Sequence, residues 1–276
     1  MKSILITGGS GFFGTGFIKK LLNTEVERIC VFSRGEHRQA VMRAELGDNP
    51  KLRWFIGDVR DRDRLRRAMS GVDVVVHAAA LKRIEIGFYN PIEMVSTNIG
   101  GAINVVEASR DAGVKKVVAL STDKAWQPVS PYGQSKALAE SIFRAANDGY
   151  GPKYSICRYG NVAGSSGSII PTWREILKTK TTVPVTNPGC TRFWMTLPQA
   201  IKLVMDTIKT MKGGEIVIPD LPAYHVGDLA KAMGADMRVI GLPDFEKRHE
   251  GMGPNNTSDM ARRMTIKELQ DALKQV

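Results

Sequence analysis

The chain is short of several things at once, and each shortage narrows what it can be. Its 276 residues hold three cysteines, Cys30, Cys157 and Cys190, odd in number and widely spaced. That set excludes a disulfide framework and matches no metal-ligand spacing, so spectator thiols, a reducing compartment and no bound metal are expected. No stretch approaches the roughly 20 apolar residues that span a bilayer, and the apolar run in MKSILITGG is too short for a secretory signal. A cytoplasmic protein without a membrane partner is therefore expected. Internal repeats and low-complexity linkers are absent as well. What remains is 43% hydrophobic and 24% charged, an ordinary globular balance with enough chain for one large domain, or a domain with a small lobe.

Acidic residues are in deficit, 28 against 39 lysines and arginines, for a formal charge of +11. Arginines concentrate in RDRDRLRR, but Asp58, Asp61 and Asp63 alternate with them there, the pattern of a solvated face with internal ion pairs. No nucleic-acid partner is expected. The positive field equally suits a site that holds anionic nucleotides.

The stretch around which the chain is organised runs STDKAWQPVSPYGQSK, from Ser121 to Lys136. It follows the apolar run Val117–Leu120 and ends with Tyr132 and Lys136 four residues apart, on one face of an expected helix. A lysine ammonium beside a phenol favours phenolate, lowering a pKa that is otherwise near 10.

In chain order, Ile4–Ile6 reads as a buried strand followed by TGGSGFFG and an apolar-periodic helix. Gly8, Gly11 and Gly14 supply a tight turn, close backbone approach to a pyrophosphate and close helix packing, with the phosphates on the helix N-terminus. Gly8, Ser10, Gly11, Phe12, Phe13 and Gly14 are thus the first candidate cofactor residues. The strand Arg28–Phe32 ends in Ser33 and Arg34, where an NAD site commonly carries an acidic side chain. Arginine there, with Arg38 nearby, points to the 2′-phosphate of NADP. A third strand, Leu52–Ile56, leads to Asp58 and Val59 beside the expected adenine. A fourth, Val72–Val76, leads to His77, read as structural, and to Ala78, Ala79 and Ala80, small enough to let the cofactor close in. A helix is expected from Pro91 to Ala112 with Asn98, a further candidate cofactor residue, inside it. Then come the strand Lys116–Leu120 and a last sheet strand, Tyr154–Arg158. Strand-then-helix units in succession specify a parallel, doubly wound sheet with ligands at the C-terminal strand ends.

TGGSGFFG, HAAALKR, STDKA, YGQSK, RYGNVAGS and TRFW, in this order, resemble the extended short-chain dehydrogenase/reductase family, and more narrowly its UDP-N-acetylglucosamine 4,6-dehydratases. The resemblance spans about residues 1–250. It implies a Rossmann-type NADP-binding domain over 1–160 and a mainly substrate-binding lobe over 161–276, with segments returning to the first. The implied reaction oxidises the 4-hydroxyl, removes the C5 proton, expels the 6-hydroxyl and returns the hydride to C6. Tyr132 would handle the 4-hydroxyl proton, Thr122 would hydrogen-bond its oxygen, and Lys136 would tune Tyr132 and hold the nicotinamide ribose. Asp123 would be the acid for the departing hydroxyl and Lys124 the base at C5. A lysine base needs a lowered pKa, which burial would bring and pairing with Asp123 would oppose; the two remain open at this point.

Further implied contacts are Lys82 with cofactor, substrate or a second subunit, Asn161 with the nucleotide diphosphate, Ser168 with the site wall, and Arg192 with pyrophosphate or uridine. Ser166 departs from an arginine common in relatives. Phe193 and Trp194 read as core or uracil contacts. Tyrosine at position 132 matches the C5-inverting branch, whose product would be UDP-2-acetamido-2,6-dideoxy-β-L-arabino-hex-4-ulose. The alternatives are a 4-epimerase or retaining dehydratase on a related UDP-sugar, and a non-catalytic NADP-binding protein. A homo-oligomer, dimer or hexamer, is implied too. GMGPNNTSD reads as flexible, and Thr265 with Glu268 as a capping box for a last helix.

Overall fold

A computed structural model describes residues 1–276. Thirteen strands occur, of which β1 (Ser3–Thr7), β2 (Arg28–Ser33), β3 (Leu52–Ile56), β4 (Val74–His77), β5 (Lys116–Leu120) and β6 (Lys153–Cys157) pair in parallel in the order β3-β2-β1-β4-β5-β6. The strand order reverses between β1 and β4, the place where open α/β sheets open a ligand crevice. A seventh, parallel strand, Ile216–Val217, borders β6. The sheet therefore does not end at Tyr154–Arg158 as expected: the segment Glu215–Ile218, which the sequence reads as a strand without a place in the sheet, supplies the added edge, because pairing across 60 residues leaves no local signal.

Alternation along β1 shows how both faces are covered. Ile4 and Ile6 point to one side, where helices Phe12–Leu22 and Leu197–Thr210 bring Phe17, Ile18, Leu21, Ala200, Ile201 and Val204. Leu5 points to the other, against Leu65, Ala102, Val105, Ala139 and Phe143. A near-continuous apolar strand is what burial on both faces requires. All three cysteines are buried and unpaired, and no helix is long and apolar enough to cross a membrane.

A smaller lobe has its own core of Ile170, Trp173, Val183, Val185, Trp194, Tyr224, Leu229 and Leu269. Trp194 meets Tyr224 edge-on, with ring centroids 5.7 Å apart, whereas Phe193 belongs to the core under the sheet. The last helix, Ile266–Leu273, starts at the Thr265–Glu268 capping box. Two expectations change. The segment GMGPNNTSD forms a short hairpin, Gly251–Gly253 against Asn256–Thr257. The helix from Pro91 is interrupted by a π-helical stretch, Val95–Gly100, before it resumes as Gly101–Asp111.

That stretch carries Asn98, and here the sequence reading is corrected. Asn98 is buried, accepts from Leu81 N–H (2.8 Å), and donates to the Leu81 carbonyl (2.9 Å) and Ser135 Oγ (2.9 Å). Its amide is fully occupied in bracing the loop after β4, so it is a structural residue. His77, by contrast, is structural as read: it shares a 2.8 Å hydrogen bond with Thr7 of β1 and is fully buried. Burial, with the nearby charge of Lys136, pushes its pKa down to about 3. Protonation thus favours the unfolded chain, so stability is complete above about 6.5 and falls as pH drops from there toward 3. Urea unfolding between pH 7 and 4 should show a steeper loss for the wild type than for His77→Asn; parallel curves would remove His77 from the acid response.

Candidate active site

One cavity of about 1070 Å³ runs along the C-terminal ends of the sheet strands and into the lobe. Its first end is the glycine turn. Gly8 has φ +68°, and a Cβ there would lie 2.9 Å from Ala79 N; a Cβ on Gly14 would lie 2.5 Å from the Gly9 carbonyl. Backbone replaces side chain in this cradle, which opens at the N-terminus of helix Phe12–Leu22, where first-turn N–H groups have no helical partner. The cradle fits a dinucleotide pyrophosphate. Ser10, Phe12, Phe13, Ser33, Arg34, Arg38, Val59, Ala78, Ala79, Ala80 and Lys82 continue the same wall.

Asp58 does not. Its carboxylate accepts from Arg60 Nε and Nη2 (2.9 and 2.7 Å) and lies 3.7 Å from Arg34 Nη1. Burial pushes its pKa up, but the Arg60 hydrogen bonds outweigh it and hold the group below the usual carboxylate value. Asp58 serves as a local ion-pair partner, with its neighbours Gly57 and Val59 facing the cavity instead.

At the middle of the cavity β5 delivers the turn Thr122–Ala125. Thr122 caps it, accepting from Lys124 N–H. Ser130 caps helix Pro131–Ala145 in the same way, which brings Tyr132 and Lys136 back over the turn. Lys136 is buried and donates to the Leu120 carbonyl (2.7 Å). Burial lowers it to about 8. Tyr132 is pushed up to about 12 by burial, and the cation that pulls it back is Lys124. The expected tuning by Lys136 is therefore corrected: i, i+4 spacing put the two on one face, but the ammonium turns to a strand carbonyl.

Asp123 and Lys124 are the second correction. Asp123 is wholly buried and contributes nothing to the cavity wall. Its Oδ1 accepts from Thr122 Oγ1 (2.9 Å) and Lys124 Nζ (3.1 Å), while Oδ2 has no partner. Burial raises its pKa. Lys124 does face the cavity, 3.1 Å from Asp123 and 3.3 Å from Glu250. Burial would lower it, yet the two carboxylates prevail and its pKa rises. Pairing wins, so the resting lysine is an ammonium and not the free amine of lowered pKa that a resting base would need.

Toward the lobe, Asn161 lines the cavity but its Oδ1 accepts from Lys124 Nζ (3.2 Å). Arg192 also reaches the wall, although its guanidinium is committed to Glu246 (2.5 Å) and to the carbonyls of Thr191, Lys247 and Arg248. An anion would meet Arg192 only in exchange for these partners. Ser168, at the start of helix Ile169–Ile176, keeps a buried hydroxyl without a partner and so offers an open hydrogen-bond site. Phe193 and Trp194 lie behind the wall. The residues that sequence reasoning missed are Glu246, Lys247 and Glu250; they follow a loop with no periodic pattern, and only their ion pairs, Glu246 with Arg192 and Glu250 with Lys124 and Lys247, single them out.

The cradle makes a direct test. Gly14→Ala should weaken dinucleotide binding at least about tenfold by calorimetry, because its Cβ meets fixed backbone carbonyls, whereas Arg38→Ala at the rim should bind within a few-fold of wild type for NAD. Unaltered affinity in Gly14→Ala would place the cofactor elsewhere.

Set beside known proteins, the chain is 44% identical to the UDP-N-acetylglucosamine 4,6-dehydratase (inverting) of Campylobacter jejuni subsp. jejuni serotype O:2 over 266 residues, 94% of this chain and 79% of that protein. It is 38% identical to the UDP-glucose 4-epimerase of Rickettsia felis over 264 residues, 91% of this chain and 77% of that one. Among solved structures, Pen from Bacillus thuringiensis superposes with a TM-score of 0.94 at 32% identity, covering 99% of this chain and 97% of Pen. The model of the family described as polysaccharide biosynthesis protein matches residues 4–269. With that match spanning the glycine cradle, the turn Thr122–Ala125 and the lobe, the chain belongs to the polysaccharide biosynthesis protein family.

Proposed function

We propose that the protein is a nucleotide-sugar 4,6-dehydratase that converts UDP-N-acetylglucosamine to the 4-keto-6-deoxy sugar with inversion at C5, and that its resident nicotinamide cofactor is NADP. The observation that carries the reading is the placement of two proton-handling side chains, Tyr132 and Lys124, on one wall of a cavity whose other end is a dinucleotide cradle. The inverting relative at 44% identity supports the sugar and the stereochemistry. A bound nicotinamide would supply the temporary removal of hydride from C4 and its return at C6.

The chain's own residues do the rest. Thr122 and Tyr132 meet the 4-oxygen; Tyr132 rests as a phenol, so it takes the hydroxyl proton only after losing its own to solvent, and the nearby Lys124 ammonium favours that phenolate. Oxidation at C4 acidifies C5–H. Lys124 gives a proton to the 6-oxygen as the C6–O bond breaks and takes the C5 proton as the C5–C6 double bond forms, ending as the ammonium it began; when the hydride returns to C6, solvent supplies a proton to C5 from the opposite face, balancing the one lost from the 4-hydroxyl. A lysine used this way needs no depressed pKa, which is what its two carboxylate neighbours deny it. Asp123, behind it, holds the charge in place. A 4-epimerase needs no such donor, so the Rickettsia felis resemblance gives only the second reading. Arg34 and Arg38 at the adenosine end support the phosphorylated cofactor, since the end of β2, where an NAD site commonly carries an acid, holds Ser33 and Arg34 instead.

Incubation with UDP-N-acetylglucosamine in D2O, followed by proton NMR, should give a dehydrated product with deuterium at C5 and couplings of the inverted sugar. Epimerised or unchanged sugar would overturn the reading. Lys124→Met should lower kcat by about 10²–10⁴ with little change in KM, the usual loss for a proton-transfer group. Mass spectrometry of the nucleotide released on denaturation should find NADP; NAD alone would refute the cofactor assignment.

A further inference from the structure

The segment 246–253 is fastened onto the turn that carries Asp123 and Lys124. Lys247 Nζ donates to the Trp126 carbonyl (2.6 Å), Glu250 Oε1 lies 3.3 Å from Lys124 Nζ, and Glu250 Oε2 lies 3.4 Å from Lys247. Gly251 packs so closely that a Cβ would lie 2.7 Å from Trp126 Cδ1. Arg158, paired with Glu140, donates to the Met252 carbonyl (2.7 Å) and stacks over the same Trp126 ring. Glu250 N–H is held by Ser258 Oγ (2.9 Å). This residue is only 3% exposed, yet it lines the cavity beside Lys124.

A lysine next to one buried aspartate is poorly held as an ion pair, since desolvation favours returning the proton and leaving both groups neutral. Asp123, wholly buried and with one oxygen unpartnered, is such an aspartate. The second carboxylate changes the balance. We propose that Glu250 is a positioning residue: its carboxylate, together with Asp123, fixes Lys124 as an ammonium at the cavity wall, so that seating of the 246–253 segment completes the proton donor. The groups facing Lys124 from all sides are Asp123, Tyr132, Asn161, Arg192, Tyr224 and Glu250, with Lys247 behind Glu250. Only the two carboxylates favour its charge, and Arg192 opposes it. The charge state stands on this geometry alone; its catalytic use rests on the dehydratase reading.

Competitive labelling of the full chain with trace acetic anhydride, read by mass spectrometry of the Lys124 peptide from pH 7 to 11, measures the neutral fraction without substrate. Wild-type Lys124 should be the least reactive cavity lysine throughout, with Lys82 as internal reference. In Glu250→Gln its labelling rate at pH 9 should rise about tenfold or more, one pKa unit being tenfold in neutral amine, while Lys82 is unchanged; Glu250→Asp should recover part of the protection. In turnover, the alkaline limb of the kcat profile should move to lower pH in Glu250→Gln. Wild-type Lys124 titrating as an ordinary lysine, or superimposable wild-type and Glu250→Gln labelling curves, would overturn the proposal; the wild-type curve decides even if a variant fails to fold. Protected Lys124 together with no turnover of the sugar would leave the proposal standing and remove the dehydratase reading alone.

Discussion

One ammonium between two buried carboxylates governs the arrangement of the site. Lys124 belongs to a turn at the end of β5, Asp123 precedes it, and Glu250 arrives from a loop beyond the lobe. The pair on one turn is local and cheap to build. The third charge requires the whole lobe to fold, pack and return its chain to the strand ends. Its desolvation is offset by two ammonium groups, Lys124 and Lys247, while its own N–H donates to Ser258 Oγ, so that different elements are fastened to the same point. Local chemistry and global architecture thus meet in a single contact.

The sheet and the nucleotide cradle were legible in the sequence because their causes are local. Ile4–Ile6 and Val117–Leu120 are apolar on both faces, and glycines at 8, 11 and 14 sit where backbone must approach backbone. Helix-capping pairs, Thr265 with Glu268 and Ser130 before Pro131, are equally short-range. The identities of Tyr132, Lys136, Asp123 and Lys124 were legible as a motif.

Their electrostatic states were not. Spacing put Lys136 beside Tyr132, but whether its ammonium turns to the phenol or to the Leu120 carbonyl depends on where β5 ends. Asn98 and Asp58 were misplaced for a related reason: each follows a pattern that cofactor residues share, and each is taken by protein partners instead, Leu81 and Ser135, which lie close only in space, for the first, and Arg60, two residues on, for the second. Arg192 likewise reaches the wall with its donors committed. Polar side chains show their type in a sequence and their partners only in a fold.

The short strand Ile216–Val217 has a consequence for how the protein comes into being on the ribosome. The helix that covers Ile4 and Ile6, Leu197–Thr210, and the strand that closes the sheet edge beside β6 both lie after the first segments of the lobe. Until they emerge, a nascent chain with every nucleotide-binding strand already synthesised has one apolar sheet face covered only by helix Phe12–Leu22, and β6 exposed as an edge. The Rossmann half therefore cannot finish first and wait. Translation must carry part of the lobe out before either half is closed, which makes that interval the period in which the chain most depends on chaperones.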